Sequence, residues 1–180
     1  GHVRDTRGAR LLMGMERVWR LDRTLYEELR ADGWATVQAV AVLALAAVSL
    51  WLGGMGLALI RGHDVGDRVL ALLWIAPWMV VGWVLWSLLA YTMGGGLLRR
   101  TATVGGLLRA LGYAHAPGSF YVLILIPGLG TLVNLAILIW TTAAALVALR
   151  TVLDVSTGRA LLLSLAGIVL SLIVRDLIRF

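Results

Sequence analysis

Between Trp34 and Phe180 lie five apolar runs: Trp34–Ile60, Val69–Tyr91, Val104–Ile126, Thr131–Leu149 and Ala160–Val174. A helix that crosses a hydrocarbon core needs about 20 apolar residues in succession. Four runs come close to that length without difficulty; Val104–Ile126 does so only if Arg109, His115 and Pro117 are tolerated inside it. The pattern predicts an all-α polytopic membrane protein: five transmembrane helices preceded by an amphipathic cytoplasmic helix. The expected division is residues 1–33 for that amphipathic segment and 34–180 for the transmembrane domain. Composition agrees, because the 180 residues are 60% hydrophobic and only 14% charged, too little charge to clothe a water-soluble domain of this size.

Orientation follows from arginine, the chain's sole basic residue apart from histidine. Cytoplasmic loops carry the excess of cationic residues. With the N-terminus inside, the seven arginines of residues 1–33 join Arg99, Arg100, Arg150 and Arg159, eleven in all, against four outside (Arg61, Arg68, Arg175 and Arg179). The opposite orientation reverses that ratio, so the expectation is N-in and C-out. Residues 1–33 also hold six acidic residues, which is too polar for a cleavable signal peptide. The first span is therefore expected to act as the insertion signal.

Residues 8–31 read as one or two helices outside the bilayer. Leu11, Leu12, Met15, Val18, Trp19, Leu25 and Leu29 recur at helical spacing, and charged residues fill most of the other side. Asp22 falls on the apolar side and predicts a break. Thr24-Leu25-Tyr26-Glu27 then reads as a capping box with Thr24 as N-cap. Leu12, Met15 and Trp19 mark the candidate interfacial face. It either lies in the headgroup layer or folds back on the cytoplasmic end of the bundle; a soluble partner is a third possibility.

Within the spans, small residues and tryptophans carry the pattern. Ala35, Ala39, Ala46, Ser49, Gly53 and Gly56 form one face of the first span, suited to close helix contact. Trp74 and Trp78 sit near the outer end of the second span, while Trp83 and Trp86 lie deeper, expected inside the bundle or against lipid. Pro117 removes a backbone donor and bends or breaks a helix, which predicts a third segment in two pieces. Pro127-Gly128-Leu129-Gly130 reads as a tight turn. Asn134, Thr141, Ala145 and Ala148 form an expected interhelical face of the fourth span, and Ser164, Gly167 and Ser171 that of the fifth.

Chemistry-bearing patterns are few. Cysteine is absent, and His2, His63 and His115 are scattered, with no metal-ligand spacing. No phosphate loop or nucleophile elbow occurs. No carboxylate falls at mid-membrane depth, where coupled transporters keep one. Enzymatic activity, a cofactor and nucleic-acid binding are therefore not expected. The residues that stand out are Arg109, Gly112, Tyr113, His115 and Pro117, with Asn134 in the next span. They could line a groove in which Arg109 takes a phosphate bidentately. In the plainer reading Arg109 snorkels to the interface and Tyr113 satisfies a buried carbonyl. For Gly112 and Tyr113 the expectation is a helix contact and a buried, hydrogen-bonded hydroxyl.

Several of these residues resemble a known family. Leu111-Gly112-Tyr113, three residues, then Pro117 is similar to the motif of the Yip family, the Ypt/Rab-interacting proteins. Pro127-Gly128, Trp140 and Ser156-Thr157-Gly158-Arg159-Ala160 follow in the order of bacterial-type members, and Tyr26-Glu27-Glu28-Leu29 before Gly33-Trp34 resembles the family's lead-in to its first span. A proline usual a few residues earlier is missing; Asp22 stands near that place. The resemblance covers roughly residues 17–180. It implies five spans and a cytoplasmic N-terminus. Eukaryotic members act in ER–Golgi vesicle traffic and bind prenylated Rab GTPases and other Yip proteins, whereas bacterial-type members have no Rab pathway, so the resemblance implies a fold and a topology but no reaction. The expected function is a non-enzymatic membrane scaffold or adaptor that binds membrane or peripheral proteins, or a second copy of itself, and shapes or senses lipid. The alternative is a passive transporter or lipid-translocating protein using a groove at the broken third span.

Overall fold

A computed structural model describes residues 2–62, 66, 69, 73–94 and 102–178. Its elements are α1 (His2–Trp19), α2 (Arg23–Ala31), α3 (Ala35–Ile60), α4 (Ile75–Met93), α5 (Val104–Ala114), a 3-10 segment (Ala116–Leu125), α6 (Gly130–Leu153) and α7 (Thr157–Ile178). No strand occurs among the described residues. His63, Arg68, Arg99, Arg100 and Arg179, used in the arginine count, lie outside them.

Among the described residues, four helices are long and apolar enough to cross a membrane, within α3, α4, α6 and α7. Their exteriors are apolar, as a lipid-facing surface must be: Val40, Val48 and Leu52 on α3, Leu135 and Ile139 on α6, and Val169 and Ile173 on α7 are all exposed. Their interiors are small. Ala35, Ala39, Ala46, Ser49 and Gly53 are buried on α3, so the expected small-residue face is used inside the molecule. It receives α5 and the 3-10 segment, which run parallel to α3. A Cβ on Gly112 would lie 2.7 Å from Ala39 Cβ, and one on Gly118 would lie 2.7 Å from Ala46 Cβ. Contact this close lets dispersion replace the hydrophobic drive that lipid does not provide.

The third apolar run is not one helix. α5 ends at Ala114, and Pro117 stands in the first turn of a ten-residue 3-10 segment. Runs of this geometry beyond three or four residues are uncommon, and a neighbour sustains this one. The Ser49 hydroxyl donates to Ser119 O at 2.7 Å and accepts from Val122 N at 2.8 Å. A Cβ on Gly53 would sit 2.6 Å from Tyr121 O. At about 1.5 Å per α-helical and 2.0 Å per 3-10 residue, the two pieces together extend about 36 Å.

α4 and α7 pack antiparallel. Trp83 and Trp86 are buried, and each indole donates to a backbone carbonyl of another helix, Leu108 at 2.9 Å and Leu163 at 3.1 Å. Trp74, by contrast, is exposed. The turn after the 3-10 segment uses Gly128 at φ 81°, where glycine carries no Cβ penalty. Asp154 ends α6 at φ 51°, ψ 51°, a left-handed conformation that Asp tolerates better than most residues.

The amphipathic segment folds back onto the bundle. Met15, Val18, Leu25, Tyr26 and Leu29 belong to the same buried cluster as Ala39, Leu107, Ala145 and Leu149. The compositional boundary after residue 33 is thus not a boundary of the core. Leu12 and Met13 remain outside it, 63% and 54% exposed.

Candidate functional site

The α1–α2 elbow is built from local hydrogen bonds. Leu21 N donates to Val18 O and Asp22 N to Arg17 O, with Leu21 at φ 55°. This is a Schellman stop with leucine where glycine is usual. Asp22, not Thr24, is the N-cap of α2, and its side chain accepts from Thr24 N. The capping-box expectation is corrected by two residues, because the stop at Leu21 delivers Asp22 to the cap position. Arg17 then ties the two helices together. Its guanidinium reaches Asp22 Oδ2 at 2.7 Å, Glu28 Oε2 at 2.7 Å and Thr24 Oγ1 at 2.7 Å. The Arg17 bond, with a further one from Thr24, lowers the Asp22 carboxyl to about 2. Arg17 also holds Glu28 below its ordinary value and is itself raised by both acids. Burial pushes the Tyr26 phenol up.

Side chains from the bundle clasp this hairpin at two helix ends. The last carbonyls of a helix lack intrahelical donors. Arg109 of α5 donates from Nε to Leu29 O and from Nη2 to Arg30 O, both at 2.8 Å, closing the end of α2. Trp140 of α6 donates to Trp19 O at 3.2 Å, at the end of α1. The Trp19 ring also lies 5.1 Å from Phe120, which stacks on Trp140 at 6.2 Å.

Tyr113 lies beneath α1, 1% exposed. Its hydroxyl donates to Gln38 Oε1 at 2.6 Å. Gly14 makes room for the ring, because a Cβ there would come 2.7 Å from Tyr113 Cε1. The expected buried, bonded Tyr113 and close Gly112 contact are both present. His115 Nδ1 lies 2.7 Å from its own helix's Leu111 O, and the ring meets Trp86 edge-on at 6.0 Å. Pro117 and Gly118 are buried. Asn134 sits apart on the exposed first turns of α6, its amide donating to Gly130 O at 2.8 Å. Among the interfacial candidates, Met15 is buried and Trp19 packs on Phe120, whereas Leu12 is exposed.

Beside Tyr113, α1, α2 and the first turn of α3 enclose a cleft of about 250 Å³. Its polar walls are Arg10 and Arg17, Glu28 and Asp32, and Gln38 with Tyr113; Met13, Leu25 and Leu29 supply apolar surface. Sequence reasoning missed Gln38, although the chain's single glutamine in the first turn of a membrane helix was a usable signal. It also missed the Trp140 and Arg109 clasps, which join residues 121 and 80 positions apart.

The architecture defines the class: a multi-pass α-helical membrane protein whose N-terminal hairpin is part of its core. The chain belongs to the Yip family, for it matches the Yip1 domain over residues 18–174. That range takes in α2 and the end of α1 as well as the spans. No curated protein and no solved structure matches it.

Proposed function

We propose that this protein is a non-enzymatic membrane scaffold or adaptor of the Yip type, oriented with its hairpin in the cytoplasm and five segments crossing the membrane. The observation that carries this reading is the clasped hairpin. Arg109 and Trp140 hold its two helix ends to the bundle, while Glu16, Arg20, Arg23 and Glu27 stay exposed on its outer face. A rigid display of both charge signs suits recognition of another protein, where charge placement governs partner choice. The closed break in the third segment supports this reading over transport, because Gly112 and Gly118 abut α3 where a groove would need space.

Photo-crosslinkers placed at Glu16, Arg20, Arg23 and Glu27 in native membranes test the proposal. Discrete adducts with a membrane or peripheral protein, or with a second copy, are expected. Adducts to lipid alone, together with lipid scrambling above the protein-free rate in reconstituted vesicles, would overturn it in favour of translocation.

A further inference from the structure

We infer that the cleft between α1, α2 and α3 binds a phospholipid headgroup carrying both a phosphate and a primary ammonium, as phosphatidylethanolamine does. The inference rests on the cleft's own charges and does not require the scaffold reading.

Two groups of opposite sign line the cleft without an ion-pair partner among the described residues. Arg10 lines it and forms no ion pair among the described residues, whereas Arg17 is engaged by Asp22 and Glu28. A free guanidinium is a bidentate phosphate ligand. At the C-terminal end of α2, Asp32 also lines the cleft; its Oδ1 accepts from Trp34 N at 2.9 Å, but no cation pairs with it among the described residues. It is the acceptor for an ammonium. Tyr113 gives its proton to Gln38, which leaves the phenol oxygen and the Gln38 amide N–H groups to complete the lining. Opposite charges carried by α1 and by the end of α2 suit a zwitterion better than a simple anion.

Depth and rim indicate that the zwitterion is a lipid. Gln38 belongs to the first turn of α3, a helix long and apolar enough to cross the membrane. The first turn of such a helix lies at headgroup level. Met13, which lines the cleft, is exposed, as is Val37 beside Gln38 on α3. They join the cleft to the apolar flank along which acyl chains run. A soluble zwitterion would leave this rim in water. The volume, about 250 Å³, is below the ~300 Å³ at which drug-sized pockets begin and suits a headgroup whose tails stay outside.

Native mass spectrometry of the full chain in detergent tests this, with phosphatidylethanolamine, phosphatidylcholine and phosphatidylglycerol of matched chains added separately. The ethanolamine lipid should be retained roughly fivefold better than either other, equivalent to about 1 kcal/mol. Choline has no N–H for Asp32, and glycerol has no cation. Arg10→Gln should weaken retention of the ethanolamine and glycerol lipids alike. Asp32→Asn keeps the oxygen that caps Trp34 N, and should abolish the preference for ethanolamine over choline without reducing the glycerol lipid. Arg159→Gln, exposed and outside the cleft, should change nothing, and excess inorganic phosphate should not displace the lipid. Equal retention of the three lipids, a preference that survives both cleft substitutions, or displacement by inorganic phosphate would overturn the assignment.

Discussion

A single methyl group added at Gly167 should pry α4 from α7. The Trp86 indole lies flat against Gly167, so a Cβ there would overlap Nε1, Cε2 and Cδ1. The ring cannot step aside freely. It is buried, and its Nε1 donates to Leu163 O one turn away at 3.1 Å. Overpacking of this kind typically costs about 1–3 kcal/mol. Loss of an interhelical hydrogen bond in a membrane adds about 0.6 kcal/mol. Replacing glycine by alanine within a helix returns about 1 kcal/mol. Gly167→Ala should therefore lose about 0.6–2.6 kcal/mol in reversible unfolding by detergent titration from lipid bicelles. Gly158→Ala in the same helix is the control, because nothing lies within 4 Å of the added carbon; it should be neutral or slightly stabilising. Combined with Trp86→Leu, which removes the obstructing ring, Gly167→Ala should cost less than it does alone. Equal stability of the Gly167 and Gly158 variants, or strict additivity in the double variant, would refute the contact.

Three further outcomes follow from the hairpin, the third segment and the arginine count. Gly112→Leu should destabilise by about 1–3 kcal/mol through collision with Ala39, in part relieved by Ala39→Gly, whereas Tyr113→Phe should lose only about 0.6–1.5 kcal/mol in the same titration. The Asp22 carboxyl lies near 2 in the folded chain against an ordinary 3.8, so its contribution is present above about pH 4 and vanishes as pH falls through 2. A spin-label pair at Gly8 and Glu27 should report the helices parting over that window, and Asp22→Asn should flatten the response. In this cysteine-free chain, His63→Cys should react with an impermeant thiol reagent from outside and Arg99→Cys should not; external labelling of position 99 would reverse the topology.

What the sequence made legible is what repeats locally. Apolar runs marked the four long helices, because length in lipid is fixed by bilayer thickness. The small-residue face of α3 and the break before Pro117 follow from side-chain size and a missing N–H. The choice of 3-10 geometry after that break was not legible, since Ser119–Ile126 alone reads as ordinary helix. Its cause lies some 70 positions away in Ser49, whose hydroxyl occupies two backbone groups of the segment. Asn134 misled for the complementary reason. A lone amide in a span suggests glue between helices, yet it is satisfied by a carbonyl of its own turn. Arg109 joins both lessons. An arginine in an apolar run poses a question of charge and depth, to which snorkelling and phosphate binding were the answers available locally. The structure places it against Leu29 O and Arg30 O, carbonyls that α2 leaves without donors by ending at Ala31. The arginine inside the third apolar run is thus explained by the end of the amphipathic helix α2. By the same contact, the hairpin belongs to the fold that the spans build.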